Sequence, residues 1–274
     1  MNERVDAVDR RVFERDGHTC LHCGAHPTEP AALETYPIGG VDGSNSLATV
    51  CRDCYGLLSG EAPAWLRDGG SDPAALFAFL EAVTSTQGST VADVAEFATE
   101  ATAGPDGTDP AARRQYGANR RRVRLALAVI DRHLDVMTGL LESSDPGASA
   151  SRTDGSTPSA ETDLGELEPP TDAACETVHD LARRLQDQLA ETVTLAETAV
   201  VAEGVCHACL DQLDGRQCQS CATTARSTEP WRTADGGVAV ADLYRTITDR
   251  LQAAAETTAQ LTEAAADLAE RLVD

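Results

Sequence analysis

Apolar residues recur at helical spacing in several stretches of the chain, and the first of these stretches lies at the N-terminus. Val5, Val8 and Val12 repeat with charged residues between them. This spacing places one apolar face along a helix, which we expect to run over Asn2–Arg15. Asp16-Gly17 follows, and glycine readily adopts the left-handed conformation that ends a helix.

The middle of the chain carries three further helical patterns. Asp72-Pro73 is a favourable helix start, and the apolar residues after it predict a short helix over Ala74–Val83. A second short helix is predicted over Thr90–Phe97, and a long third one over Asp109–Leu141. These three helices loosely resemble a helix-turn-helix module, which implies DNA binding through the third helix.

Two long helices are predicted in the C-terminal part, over Asp172–Glu203 and over Val238–Val273. In the second helix, apolar and small residues alternate at intervals of four and three, which is the seam of a coiled coil. The seam consists of Val240, Tyr244, Ile247, Leu251, Ala254, Thr258, Leu261, Ala265, Leu268 and Leu272. We expect the two helices to form an antiparallel hairpin. Pairing of two hairpins into a four-helix bundle is a further hypothesis.

The stretch Ser143–Thr171 differs from the rest, because it is mostly Ser, Thr, Gly, Pro and acidic residues. It cannot bury enough apolar surface to offset its ordering entropy, so we interpret it as a disordered acidic linker. The predicted fold is mainly α with a small N-terminal α+β domain. The predicted domains are residues 1–62 (zinc domain), 63–142 (helical region), 143–171 (linker) and 172–274 (hairpin).

Eight of the nine cysteines form two sets of paired CxxC motifs. The sets are Cys20, Cys23, Cys51 and Cys54, and Cys206, Cys209, Cys218 and Cys221. Two CxxC turns supply the tetrahedral four-sulfur shell that Zn²⁺ accepts, so we predict two structural zinc sites, the second at the tip of the hairpin. Disulfides are the alternative, but they need an oxidising compartment. The ninth cysteine, Cys175, is expected to pack as a small apolar residue.

The first cysteine set lies in a recognisable frame. Glu14–Ala25 holds the first pair, Leu33-Glu34 opens a strand, a glycine-rich turn follows, and Ser46–Cys54 ends on the second pair. The segment Val12–Leu58 thereby resembles the HNH, or ββα-metal, endonuclease family. The resemblance implies a zinc-stabilised ββα fold and an association with DNA.

The resemblance does not extend to the residues that perform catalysis in this family. HNH hydrolysis needs a histidine base, an asparagine that orients it, and an acidic or histidine ligand together with a last histidine to hold a catalytic metal. The matching positions hold Pro37, Ser46, Tyr36 and Tyr55. Proline cannot accept a proton, and tyrosine is a weak base at neutral pH. We therefore predict no catalytic residues.

Three histidines near the first cysteine pair leave one alternative open. His18, His22 and His26 all precede the strand that would present the base. We interpret them as surface or knuckle residues. The alternative is a working endonuclease in which His22 or His26 replaces the missing groups.

Charge separates one segment from the rest of the chain. The net charge is −23, and all 22 cationic side chains are arginine, a composition typical of proteins from salt-accumulating halophiles. The predicted third helix nevertheless carries six arginines without an acid between them: Arg113, Arg114, Arg120, Arg121, Arg122 and Arg124. Guanidinium groups bind phosphate in a bidentate manner, so these arginines are candidate nucleic-acid contacts, although a solvated face or a protein partner also fits.

These patterns lead to one leading hypothesis and two alternatives. The leading hypothesis is a zinc-stabilised, DNA-associated protein on a degenerate HNH domain. The alternatives are the active endonuclease and a protein-interaction scaffold that acts through the C-terminal hairpin, with a protein partner or a second copy. No apolar run approaches the ~20 residues of a membrane span and no signal peptide is evident, so a cytoplasmic protein without membrane contact is expected.

Overall fold

The structure, a computed structural model, describes residues 2–26, 32–39, 46–61, 73–144 and 169–273. In chain order the elements are α1 (Asn2–Arg15), β1 (Leu33–Pro37), β2 (Leu47–Cys51), α2 (Arg52–Leu58), α3 (Pro73–Thr102), α4 (Pro110–Ser144), α5 (Pro169–Ala202), a 3₁₀ turn (Glu229–Trp231) and α6 (Val240–Val273). Within these ranges, no helix combines the length and apolar character that a membrane crossing requires.

The N-terminal unit, which comprises α1, β1, β2 and α2, is built around a two-stranded antiparallel sheet in which Leu33 lies opposite Cys51. Helix α1 ends at Arg15, as predicted, and Gly17 has the left-handed φ of 64°. Asp16 then ties this helix end to the sheet, because its Oδ2 accepts hydrogen bonds from the backbone N–H and the hydroxyl of Thr49.

The four long helices pack into one bundle around a common core. Helices α3 and α5 pack against each other, and each of them also contacts α4 and α6. Helices α4 and α6 lie on opposite sides of this central pair. The largest fully buried side chains of this core are Phe97, Tyr116, Ile130, Leu134, Leu185, Leu189, Leu243 and Leu268. The helical regions before and after residues 145–168 therefore share one hydrophobic core.

Side-chain contacts between the helices define their directions. The Nδ2 group of Asn119 on α4 donates to Glu100 near the end of α3, and Arg250 on α6 lies 3.0 Å from Glu191 on α5. Helices that follow each other in the chain therefore run antiparallel. The end of α3, the start of α4, the end of α5 and the start of α6 meet at one end of the bundle, beside the second cysteine set.

The prediction of two short helices before α4 is wrong, because α3 is one continuous helix of 30 residues. The hydroxyls of Thr86 and Thr90 donate to carbonyl oxygens one turn earlier, so these residues fit the helix interior. The carboxamide of Gln87 is fully buried and donates to Ala182 O on α5. This contact with α5 supports a continuous helix across Gly88. The three-helix arrangement expected of a helix-turn-helix is therefore absent from residues 73–144.

The predicted coiled-coil seam faces the core of the same chain. Ile247, Ala254, Leu261 and Leu268, which are spaced seven residues apart, are all buried in the shared core. The four-helix bundle of the structure forms within one chain, from the two C-terminal helices and the two long helices before them, and the pairing of two hairpins stays a hypothesis. Cys175 is buried in this core as well.

The N-terminal unit is attached to the outer side of α4. Leu125 and Val129 of α4 are fully buried in a second apolar cluster with Val50 and Leu58. Several sequence predictions lie outside the described residues: the glycine-rich turn from residue 40 to 45, the capping residue at 72, and positions 145–168 of the linker. The ends of that predicted linker, residues 143–144 and 169–171, belong to α4 and α5.

Candidate metal centres and an arginine-lined cavity

Three of the four CxxC motifs adopt the same backbone turn. In each turn, the N–H four residues after the first cysteine donates to that cysteine's carbonyl oxygen: Gly24 to Cys20, Leu210 to Cys206, and Ala222 to Cys218. The donating residue has positive φ in all three turns, at 73°, 61° and 56°. Such a turn directs two thiols toward one point.

The fourth CxxC motif is built differently. Cys51 is the last residue of β2, and Cys54 lies in the first turn of α2. The first cluster therefore joins one turn to a strand–helix junction, whereas the second cluster joins two equivalent turns. In both clusters the four sulfur atoms lie within 4.8 Å of one another.

The sulfur distances fit zinc and not disulfides. The Sγ–Sγ distance is 3.8 Å for Cys23 and Cys51, and 3.5 Å for Cys209 and Cys218. Four sulfurs at the ~2.3 Å zinc–sulfur bond length of a regular tetrahedron are ~3.8 Å apart, whereas a disulfide bond measures about 2.05 Å. No disulfide joins any of the nine cysteines, all of which lie in the described parts of the chain. The two clusters fit two structural zinc sites.

The electrostatics of the clusters agree with this assignment. A hydrogen bond from Cys54, together with backbone N–H groups, lowers the pKa of Cys20 to about 4. A hydrogen bond from Cys209 similarly lowers the pKa of Cys206 to about 5. A lowered pKa favours the thiolate, which is the form that binds zinc.

The residues at the HNH catalytic positions lie on neighbouring elements of the N-terminal unit. Tyr36 on β1 and Tyr55 on α2 make an edge-to-face ring contact, with centroids 6.4 Å apart. Ser46 is buried, and its carbonyl oxygen accepts a hydrogen bond from Ile38 N. Pro37 ends β1 opposite Leu47. None of these side chains is a strong base or a hard-metal ligand at neutral pH.

The nearby histidines lie elsewhere. His26 is exposed, and its Nδ1 lies 3.0 Å from the Thr19 hydroxyl. His22 lines a cavity of about 360 Å³ between the first CxxC turn (residues 20–24), α3 and α4. Burial lowers the pKa of His22 below its ordinary value. His18 has a positive φ of 54° in the turn after α1.

The six arginines predicted as nucleic-acid contacts do not form one surface. Arg120 is buried, and its Nε donates to Glu197 at 2.8 Å. Arg124 and Arg226 donate to the same carboxylate, and His207 Nε2 lies 3.8 Å from it. The prediction is therefore corrected for Arg120 and Arg124, whose guanidinium groups are engaged inside the protein.

Glu197 is the centre of this charge cluster and is completely buried. Burial alone would raise its pKa, but Arg120, Arg124 and His207 lower the pKa below the ordinary value of 4.5. The cluster joins α4, α5 and the loop that holds the second cysteine set. We did not identify Glu197 from the sequence, although a lone acid between Val193 and Val200 on the apolar side of a helix is a signal of a buried ion pair.

The remaining predicted arginines divide into two groups. Arg113 binds the loop that carries the second cysteine set (residues 206–221, called the second knuckle below), since it donates to Cys209 O at 2.8 Å and pairs with Asp211. Arg121 is buried, with its Nε 3.6 Å from Asp16. Arg114 and Arg122 are exposed.

A cavity of about 510 Å³ lies where α4 meets the end of α1 and the second knuckle. Arg113, Arg114 and Arg121 line it together with Arg15, which the sequence interpretation did not single out. The other lining residues are Ala111, Gln115, Gly117, Ala118, Ala208 and Cys209. Among the residues that the structure describes, four cationic side chains and no acidic one thus line a cavity in a strongly acidic protein.

Comparison with known proteins finds no matching family model, no matching curated protein and no matching solved structure.

Proposed function

We propose that this chain is a zinc-stabilised, DNA-associated protein built on a degenerate HNH domain that does not cleave DNA. The observation that carries the proposal is the convergence of four arginines around one cavity in a chain of net charge −23. A cationic cavity in an anionic protein is adapted to a polyanion, because the rest of the surface repels it.

The order of elements in the N-terminal unit supports the HNH frame. A cysteine pair precedes β1, an antiparallel strand follows, and the second pair connects that strand to α2. The contact between Tyr36 and Tyr55 is also in keeping with the frame, because the family's active site lies between the end of the first strand and the final helix. The replaced side chains support loss of hydrolysis, since no base or catalytic metal site remains among them.

The placement of the arginines supports contact with DNA at the start of α4. Arg114 is exposed at the cavity, and Arg122 is exposed two turns further along the same helix. The other four predicted residues hold the fold or line the cavity wall. DNA contact is therefore assigned to the Arg114 side of α4, with Arg122 as a second point.

The proposal is tested by gel retardation of duplex and single-stranded DNA at roughly 0.1 M and roughly 1 M salt, where the screening length is about 10 Å and about 3 Å respectively. We expect retardation by the zinc-loaded chain and its loss in the double variant Arg114→Gln/Arg122→Gln. The matched control is Arg232→Gln/Arg245→Gln, which removes the same charge from exposed pairs with Glu229 and Asp242. Equal retardation by both double variants would contradict the proposal.

A nicking assay on supercoiled plasmid with Mg²⁺ or Mn²⁺ distinguishes the endonuclease alternative. We expect no cleavage. Metal-dependent nicking that disappears in His22→Ala or His26→Ala would instead support the active nuclease. Absence of both nicking and retardation would favour the scaffold alternative, with a protein partner as the ligand.

A further inference from the structure

The arginine-lined cavity has the features of a built site and not only of a charged surface. It lies between three parts of the fold: Arg15 comes from the end of α1, Arg113, Arg114 and Arg121 come from α4, and Cys209 belongs to the second knuckle. No single segment of the chain could form it. The cavity therefore exists only when the N-terminal unit, the bundle and the second knuckle are all in place.

Arg121 is the most confined of the four cationic residues. It is only 8% exposed, and its Nε has no hydrogen-bond partner among the described residues. The nearest acid, Asp16, is 3.6 Å from Nε, which is too long for a hydrogen bond. Burial, followed by the charge of Arg15, lowers the pKa of Arg121 to about 10. A buried cation beside a second cation is stabilised by an anion.

Because Gly117 has no side chain, the Arg121 guanidinium can approach the backbone of α4 at this position. A Cβ atom at residue 117 would lie 3.2 Å from Arg121 Nη1, closer than ordinary van der Waals contact. Glycine in the middle of a helix destabilises it by about 1 kcal/mol relative to alanine. A methyl group at this position would therefore crowd the Arg121 guanidinium.

The neighbouring acids do not neutralise the cavity. Among the described residues, Asp16 binds Arg15 at 2.7 Å and Asp211 pairs with Arg113. Within these residues, neither Arg114 nor Arg121 makes a hydrogen bond to a carboxylate, and Asp16 lies 3.6 Å from Arg121 Nε. Arg114 is exposed at the cavity, whereas Arg121 forms its wall.

We infer that this cavity binds a phosphate group, with Arg114 and Arg121 as its principal contacts and Arg15 and Arg113 completing the cationic wall. Phosphate fits this donor set because several guanidinium forks can each offer paired N–H donors to its oxygens. The cavity is larger than a phosphate group requires, which leaves room for the rest of a nucleotide. This inference rests on the proposed function in one respect, namely that the phosphate group belongs to the DNA backbone.

The dependence of binding on salt distinguishes a phosphate-binding cavity from a diffusely charged surface. At molar salt the screening length is about 3 Å, so a charged surface alone loses its attraction. A cavity that holds phosphate by short hydrogen bonds retains affinity under these conditions.

The test uses the full zinc-loaded chain and inorganic phosphate as the probe. Calorimetric titration and thermal melting are measured in phosphate and in chloride at equal ionic strength. We expect saturable binding of phosphate and a binding constant about tenfold weaker in Arg114→Gln, because one charge-assisted contact is lost. Arg11→Gln is the matched control, since Arg11 is an exposed arginine on α1 outside the cavity, and its affinity should remain within about twofold.

A further variant tests the geometry of the site separately from its charge. Gly117→Ala leaves every charge in place but crowds Arg121, and it should also weaken phosphate binding. Absence of saturable binding, or equal weakening in Arg11→Gln and Arg114→Gln, would overturn the phosphate site.

Competition with DNA separates the site from the proposed function. We expect inorganic phosphate to reduce DNA retardation. Phosphate binding without any DNA retardation would support the site while removing the proposed function. DNA retardation that neither phosphate nor Arg114→Gln alters would leave the function and overturn the site.

Discussion

The two cysteine clusters offer the same four sulfurs to zinc, yet they are joined to the rest of the protein by different forces. The N-terminal unit meets α4 largely through apolar side chains, among which Leu125 and Val129 are fully buried. The second knuckle is held by polar and charged groups: the Tyr116 hydroxyl donates to His207 O, and Arg113 donates to Cys209 O.

This contrast has consequences for stability. Apolar contacts are non-directional, so the N-terminal unit can lose part of its contact area without losing a specific partner. The second knuckle depends on the completely buried Glu197, whose charge needs Arg120, Arg124 and Arg226 around it. An incomplete buried charge cluster is strongly destabilising. The second knuckle should therefore be coupled more tightly to the bundle than the N-terminal unit is.

Removing one zinc ligand from each cluster should have the largest effect on stability. Cys218→Ser and Cys51→Ser should each lose one of the two bound zinc ions, with a loss of binding energy on the order of 10 kcal/mol. The melting temperature of the helices, measured by far-UV circular dichroism at about 222 nm, should fall more in Cys218→Ser than in Cys51→Ser. Equal shifts would contradict the tighter coupling, and zinc analysis checks that each variant has lost its own ion.

Glu197→Gln should produce the next largest effect. It removes the counter-charge of the buried Arg120 and should lower the free energy of unfolding by about 3–5 kcal/mol. The matched control on the same helix is Glu191→Gln, because Glu191 forms a half-exposed pair with Arg250 and should change stability by less than about 1 kcal/mol. Denaturant unfolding measures both variants. Similar losses would show that the buried cluster is no stronger than a surface pair.

Lowering the pH should reduce the stability of the protein through His133, a buried histidine on α4. Burial, followed by the charge of His22, lowers the pKa of His133 from 6.5 to about 4. A lowered pKa means that the unfolded chain binds the proton more readily, so stability falls as the pH decreases from 6.5 toward 4. The contribution is at most about 3 kcal/mol.

The variant His133→Gln isolates this effect from acid release of zinc, which both proteins share. Unfolding free energies are measured for the wild-type protein and the variant across this pH range. We expect the wild-type protein to lose more stability than the variant. Parallel curves for the two proteins would show that His133 does not contribute.

Val129→Ala should have the smallest of these effects. It removes two buried methyl groups from the contact between the N-terminal unit and α4, which lowers stability by about 2 kcal/mol. Both zinc ions should remain bound, because no cysteine or charged partner is touched. Loss of the first zinc ion in this variant would mean that the apolar contact and the first cluster are strongly coupled, which would erase the difference between the two regions.

Local elements were the most predictable part of the fold. The end of α1 at Arg15 follows from Asp16-Gly17, and the start of α4 follows from Asp109, whose carboxylate accepts hydrogen bonds from the N–H groups of Ala111 and Ala112. The break predicted near Gly88 failed because glycine in a helix is a weak signal and Gln87 is held by α5. Such a tertiary contact leaves no trace in the local pattern.

The cysteine spacing specified both metal clusters, because each CxxC turn is a local structure with its own backbone hydrogen bonds. The roles of the arginines could not be specified in that way. Arg120 and Arg122 are two positions apart in one charged run, yet the first is buried and the second is exposed. The difference arises from Glu197, which lies 77 residues further along the chain and meets Arg120 only when α5 packs on α4. A charge run predicts that arginines are present, but folding determines which of them bind inside the protein and which can meet a ligand, because burial depends on neighbours that are distant in sequence.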